Sequence, residues 1–522
     1  ARYRVEIFRL GWYGGSGGRR VACIPGCGSD EQGSAQPLPG PPPADAHAPP
    51  IRADWPVTDT FTVGSNWVSG YYMIRFVLTS GPRAGLASWT FLIVREPPGR
   101  NSQILVQVPV NTWEAYNAWG GKSLYDTKTR QRMYRVSFDR PYGPEAQSPL
   151  WYEIQLVRFL ERNGYDVSYV TDLDTHNDPG ELLRHRLIVT SGHDEYWTKE
   201  MRDGFDAARD RGISLFVSGS NTGYWQLKYE DAGRTLFGYK SLYDPEPNLR
   251  LKTATFRDVG RPECELMGVQ HQFILPPQYA QHDYTVTEAA RNDPWFAGTG
   301  LAPGDTIKDV LGPEYDVINP FPDTCIKPGL KVLFHFQGYP TMQNGDAVRF
   351  TTPAGGQVFA SGAQRFTWAL DTWGTAWLGH TAPASPGMQR FVQNALASMT
   401  TPATPVAMSV RVGRSHLHIR VRRPQDPFVL AARVYVHRGT GPFDIRSARL
   451  VCTTRTFRCR KRLPRRATGP LTFAAVSVDP WTTSAPVFSS PVTLYEEARW
   501  STASASQVFA CALQTLCSWP PG

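Results

Sequence analysis

Leu187-Ile188-Val189-Thr190-Ser191-Gly192-His193-Asp194-Glu195-Tyr196-Trp197 joins a short apolar run directly to a dense polar one. Leu187–Thr190 reads as a buried strand, because it is apolar and too short for a helix. The pattern recurs where Ile213–Val217 runs into Ser218-Gly219-Ser220-Asn221-Thr222-Gly223-Tyr224-Trp225. Between the two, Lys199–Asp210 has amphipathic helical spacing. Upstream, Ile104–Val108 and Asp166–Thr171 read as strands. Ser148–Asn163 reads as a helix with Trp151, Ile154, Leu156, Phe159 and Leu160 on its apolar side, and Glu181–Arg184 as part of another. Residues 240–350 are irregular; Gln357–Ser361 and a helix at Met388–Met399 then return to the sheet. Strand and helix in alternation predict a parallel sheet covered on both faces, here a flavodoxin- or glutamine-amidotransferase-like α/β domain over residues 99–401.

The flanks carry a different rhythm. In residues 1–98, Tyr3, Val5 and Ile7 alternate with Arg4 and Glu6, and further strand-like runs are Val57–Val63, Tyr71–Thr79 and Ser88–Glu96. A small N-terminal β-sandwich is the expected solution, with the Pro/Gly-rich Gly33–Pro50 as a surface insertion and Pro97-Pro98-Gly99 as its boundary. From residue 402 to 495 short alternating strands return: Val406–Val412, His416–Val421, Val429–Val436, Leu471–Val478 and Val487–Leu494. They predict an immunoglobulin- or fibronectin type III-like sandwich. Residues 496–522 read as a tail. The fold class expected is multidomain α/β plus β.

Bulk composition bounds the function. With 522 residues, two to four domains are expected. Hydrophobic residues at 41% and charged residues at 19% exclude a disordered chain. No apolar run is long enough to span a bilayer. The sequence opens at Ala1 with no apolar leader, as expected of a processed or trimmed chain. Eight cysteines form the local pairs Cys23/Cys27, Cys452/Cys459 and Cys511/Cys517, with Cys264 and Cys325 left to each other. Even, local pairing without any Cys-x-x-Cys favours disulfides over zinc and points to an exported, extracytoplasmic protein. The net charge of +9 is partly local, since Arg455, Arg458, Arg460, Lys461, Arg462, Arg465 and Arg466 crowd one stretch. Such a stretch is either a solvated hairpin or a grip on an anionic surface polymer. No nucleic-acid motif accompanies it.

Ligands of open α/β sheets bind beyond the carboxyl ends of the strands, where the polar runs fall. His193 and Glu195 are two apart, so an extended segment puts them on one face, one to bind a metal and the other to move protons. The alternatives are a hydrogen-bonded loop histidine and a helix N-terminal carboxylate. Gly219-Ser220-Asn221-Thr222-Gly223 has nucleophile-elbow spacing but offers an amide, a hydrogen-bond donor and no nucleophile. Gly121-Lys122-Ser123 imitates a phosphate loop, yet Tyr116 stands where its first glycine belongs. The third dense run, Asn111 to Tyr125, is rich in aromatics and reads as a pocket wall or as packing.

Three motifs together carry a resemblance: Thr112-Trp113-x-Ala115-Tyr116-Asn117-x-Trp119-Gly120-Gly121, His193-Asp194-Glu195-Tyr196-Trp197, and Gly219-x-Asn221-x-x-x-Trp225. With Arg9-Leu10-Gly11-Trp12-Tyr13-Gly14-Gly15 and Ser69-Gly70-Tyr71-Tyr72, they resemble the large (beta) subunit of N,N-dimethylformamidase and its relatives over roughly residues 1–400. The resemblance implies a mononuclear ferric iron held by two tyrosines and a glutamate, matched here by Tyr72, Tyr116 and Glu195. It implies His193 as proton-handling neighbour, Asn221 as substrate-positioning amide, and Glu314 as a further acid. On its own strand, however, Tyr72 shares a face with Ile74, Phe76 and Leu78, the pattern of a core tyrosine. The expectation is an iron-dependent amidohydrolase acting on a small amide-like substrate, with room for an oligomer or a small partner subunit. The alternative is a non-catalytic, exported polymer-binding protein with a relict α/β core.

Overall fold

The computed structural model describes every residue except 1, 28–45, 126–131, 143–147, 275–281, 320–324, 339–343, 414, 440–441, 463–468, 495–499 and 502–522. The chain divides into two units, Ala1–Thr400 and Thr401–Gly522.

In the first unit Leu187–Gly192 is buried along its whole length. It lies inside a nine-stranded sheet. The order is Thr306–Ile307, Tyr284–Val286, Lys331–Phe336, Gly345–Thr351, Gln357–Ala360, Ser214–Gly219, Leu187–Gly192, Ile104–Val108, Val167–Thr171. The last five strands pair in parallel. The first five pair antiparallel. The expected all-parallel sheet is therefore corrected to a mixed one. Its antiparallel half comes from the irregular 240–350 stretch, whose strands run two to seven residues. A bulge at Val332/Phe334 breaks the period that a sequence reading relies on.

The helices follow their apolar positions. Lys199–Asp210 buries Met201, Phe205 and Ala208, and the Thr198 side chain caps it by accepting from the Met201 N–H. The expected helix at Ser148–Asn163 is two, Pro149–Tyr152 and Ile154–Arg162, broken at Glu153. The Glu153 carboxylate is buried and accepts from Trp113 Nε1 at 3.3 Å.

Residues 1–98 form one four-stranded antiparallel sheet and not a sandwich. Its order is Gly18–Ile24, Tyr3–Leu10, Gly70–Leu78, Ala87–Val94. Val57–Val63 is not a strand, and Val57 is 82% exposed. The sheet's second layer is the α/β core itself: Leu10 and Tyr71 are buried in one cluster with Trp113, Phe159 and Tyr169. Arg9-Leu10-Gly11-Trp12 is the docking piece. Arg9 pairs with Glu161 at 2.6 Å and donates to the Ser69 carbonyl. The Trp12 ring lies under the Arg158 and Arg162 guanidinium groups. A Cβ on Gly11 would stand 2.1 Å from Glu161 Oε2 and 2.9 Å from Arg9 Nη1, so a side chain there would displace that ion pair.

The second unit is a sandwich of two sheets. One contains Ala407–Val412, His416–Arg422 and Arg458–Arg462; the other is built on Ala431–Arg438 and Gly469–Val478. Val410, Leu417 and Ile419 from the first sheet meet Val434 and Phe473 from the second. Disulfides close Cys23–Cys27, Cys264–Cys325 and Cys452–Cys459, the last joining strands of the two sheets. Cys511 and Cys517, with Arg465 and Arg466, lie outside the described residues. Among the described residues no helix is long and apolar enough to cross a membrane.

Candidate functional site

Three neighbouring parallel strands deliver their carboxyl ends to one place. Ile104–Val108 leads into the helix Val110–Tyr116, which ends on Tyr116. Leu187–Gly192 leads into His193, Asp194 and Glu195, and Ser214–Gly219 into Ser220 and Asn221. The two glycines permit this crowding, because a Cβ on Gly219 would sit 1.9 Å from the Gly192 carbonyl oxygen.

The segment after Gly192 is extended, and its side chains alternate as expected. Asp194 turns away, accepting from Gln107 Nε2 at 2.8 Å and Trp197 Nε1 at 2.7 Å. His193 and Glu195 share the other side, with His193 Nε2 3.4 Å from Glu195 Oε2. Backbone contacts hold the segment. The Glu195 N–H donates to Thr112 Oγ1, and the Glu195 carbonyl accepts from the Tyr224 and Trp225 N–H groups.

Tyr116 Oη donates to Glu195 Oε2 at 2.8 Å. The Tyr125 ring stacks on Tyr116 with centroids 4.7 Å apart. Glu314 arrives from a two-stranded ribbon, Gln270–Ile274 with Glu314–Val317. Its Oε2 lies 2.8 Å from His193 Nε2 and accepts from Asn221 Nδ2 at 3.0 Å. Asn221 sits at φ +54°, a conformation asparagine tolerates better than most residues, and its N–H is tied to Asp316.

The electrostatics separate the roles. Burial would depress the His193 imidazole, but Glu314 and Glu195 outweigh it and raise its pKa to about 9. Burial works against the Glu314 charge too, yet His193 and the Asn221 amide hold its pKa down at about 2. Glu195 is raised by burial, against the pull of His193. Burial and then Glu195 push the Tyr116 phenol well above its ordinary range, while for Tyr125 the Glu195 charge acts first and burial second. Tyr116 and Tyr125 are each only partly buried.

Five of the six residues read from sequence for catalysis or metal binding, Tyr116, His193, Glu195, Asn221 and Glu314, therefore meet in one cluster. Tyr72 does not. Its hydroxyl donates to the Val68 carbonyl, its ring stacks on Trp67 at 4.8 Å, and it packs with Val5, Ile7 and Val94. Strand alternation is the reason, because Tyr71 takes the face toward the α/β core and Tyr72 the opposite one. Two members of the cluster escaped the sequence reading. Tyr125 lay at the end of the quoted aromatic run, nine residues past Tyr116. Lys240 lay in the irregular stretch and carries no sequence signal. Its Nζ donates to Tyr196 Oη at 2.6 Å and sits 3.9 Å from the Tyr125 ring centroid. Burial lowers its pKa to about 7, against the attraction of Glu195.

Comparison with known proteins places this geometry. No curated protein matches the chain. Among solved structures, the twitchin kinase region from C. elegans is similar at 15% identity, covering 19% of this chain and 18% of that one with a TM-score of 0.17. A crystal structure of titin domains matches at 16% identity, 18% of this chain, 32% of that one and a TM-score of 0.16. The chain thus spans less than a third of each. The fibronectin type-III domain of human fibronectin type III domain containing protein 3 matches at 12% identity over 21% of this chain and 94% of that one, with a TM-score of 0.15. The family match is far longer, running over residues 4–381, from the docking sheet through every residue of the cluster, and by it the chain belongs to the family described as N,N-dimethylformamidase beta subunit-like, C-terminal.

Proposed function

We propose that this chain hydrolyses an amide or related C–N bond of a small substrate, with a mononuclear ferric iron held by Tyr116, Tyr125 and Glu195. The observation that carries the reading is the 2.8 Å contact between Tyr116 Oη and Glu195 Oε2, set beside the His193–Glu314 pair. The donor set suits the ion: two phenols and a carboxylate are hard oxygen donors. Glu195 Oε1 is buried and has no hydrogen-bond partner among the described residues, which leaves a donor oxygen for an ion to satisfy. Tyr125 takes the place in the ligand set that the resemblance gave to Tyr72. Bound there, iron would supply Lewis-acid polarisation of a carbonyl oxygen.

The chain's own residues supply the rest. A departing amine nitrogen needs a proton, and His193 holds one at neutral pH because Glu314 and Glu195 face it. Glu314 keeps its charge and orients the imidazole at Nε2. The Asn221 amide, tied through Nδ2 to Glu314, positions that carboxylate. Lys240 offsets part of the Glu195 charge from behind the Tyr125 ring. Three closed disulfides support an extracytoplasmic setting for this chemistry.

Incubating the purified, iron-loaded protein with N,N-dimethylformamide and a panel of short amides, and measuring released amine, tests the proposal. Amine release is expected, with a loss of about 100-fold or more in His193→Ala and in Glu314→Gln. Absence of C–N cleavage across the panel would overturn it.

A further inference from the structure

The three-stranded sheet of the second unit has two unlike faces. Val410, Leu417, Ile419 and Val421 point into the sandwich core. The alternating positions point out: Arg411 on the first strand, His416, His418, Arg420 and Arg422 on the second, and Arg458, Arg460 and Arg462 on the third. The register sets two guanidinium groups directly opposite each other and three more opposite histidines. His416 faces Arg462, His418 faces both Arg460 and Arg411, and Arg420 faces Arg458.

None of the three strands contains an acidic residue. Among the described residues, none of the six arginines makes an ion pair. Like charges directly opposite on neighbouring strands destabilise a sheet. The Arg420–Arg458 pair therefore works against the stability of its own sheet unless an anion lies on it. A shallow groove of about 510 Å³ runs across it, lined by Ser409, Arg411, His418, Arg420, Arg458 and Arg460.

We propose that this face binds a linear anionic polysaccharide. Neighbouring strands lie about 4.8 Å apart, and same-face residues along a strand about 6.8 Å apart. The result is a flat grid of guanidinium groups, each able to hold a sulfate or carboxylate bidentately. The grid suits an extended chain with regularly spaced charges. The outward positions carry no Phe, Tyr or Trp ring on which a base could stack, which disfavours single-stranded nucleic acid. The Cys452–Cys459 disulfide fastens the third strand to the other sheet, as fits a protein that works outside the cell.

Full-length protein is titrated with a heparin oligosaccharide, a polyuronate and an oligothymidylate at several salt concentrations. The glycans are expected to bind more tightly than the oligothymidylate. Arg420→Ser/Arg458→Ser/Arg460→Ser should weaken glycan binding at least tenfold and reduce the log–log salt slope by about two to three. A control with the same charge change elsewhere, Arg438→Ser/Arg446→Ser/Arg449→Ser, should keep most of the affinity. The face variant's Tm should hold or rise, because repulsion is removed, so weakened binding cannot be ascribed to unfolding. Equal losses in the two triple variants, tighter binding of oligothymidylate, or no glycan binding by the unaltered protein would each overturn the proposal.

Discussion

Tyr116 and Tyr125 stack at 4.7 Å, and the Glu195 charge raises the pKa of both phenols. Tyr72 is held in the core of the N-terminal sheet with its hydroxyl on a backbone carbonyl. The two candidate partners of Tyr116 are thus separable by experiment. Tyr125→Phe keeps the stacked ring and removes one donor oxygen, so iron affinity should fall at least tenfold. Tyr72→Phe should leave iron content unchanged and cost about 1 kcal/mol of stability for the lost hydrogen bond. Iron titration of both variants decides between them; loss of iron only in Tyr72→Phe would restore the original ligand set.

The helix carrying Tyr116 is anchored by a buried ion pair. Arg140 Nε donates to Glu114 Oε1 at 2.6 Å, and its other nitrogens reach the Asn117, Trp119 and Lys122 carbonyls. Both side chains are 1% exposed. Burial outweighs the guanidinium and leaves the Glu114 pKa raised to about 7. Arg140→Met strands the carboxylate and should destabilise by about 3–5 kcal/mol. The double variant with Glu114→Leu should recover part of that. Denaturant unfolding measures both, and an unperturbed Arg140→Met would show the pair to be dispensable.

Much of this was legible in the sequence, and the limits are physical. The three strands that lead into the site could be read because buried parallel strands are continuous apolar runs, and two of them run two residues past the apolar part, to Gly192 and Gly219. His193 and Glu195 could be paired because the period of an extended chain is two. Glu314 and Lys240 come from 240–350, where strands are short, two are bulged, and no period survives. Tyr72 was matched by motif, while its own strand pattern, shared with Ile74, pointed to the core, where it lies. The single N-terminal sheet was unreadable for another reason: alternation shows that one face is buried but not what buries it, and here the α/β core does.

Glu153 should give the protein a measurable pH dependence. Its buried Oε2 has no partner among the described residues, and burial raises its pKa to about 8, against the Trp113 hydrogen bond. The folded state therefore keeps a proton that the unfolded chain releases near its ordinary pKa of about 4.5. The contribution is most favourable below that value, declines as pH rises toward 8, and is flat above. Glu153→Gln removes the titration. The stability difference between the variant and the unaltered protein should move in the variant's favour by a few kcal/mol between pH 5 and pH 8. A pH-independent difference would count against a protonated Glu153.

The most direct test of the central claim is elemental analysis with a visible spectrum, on the unaltered protein and on Tyr116→Phe and Glu195→Gln. Tyr116→Phe keeps the ring and removes the donor oxygen; Glu195→Gln keeps the shape and removes the charge. The account predicts about one tightly bound iron per chain and a phenolate-to-iron band in the unaltered protein, with both reduced in each variant. Full iron and an unchanged spectrum in both variants would contradict it.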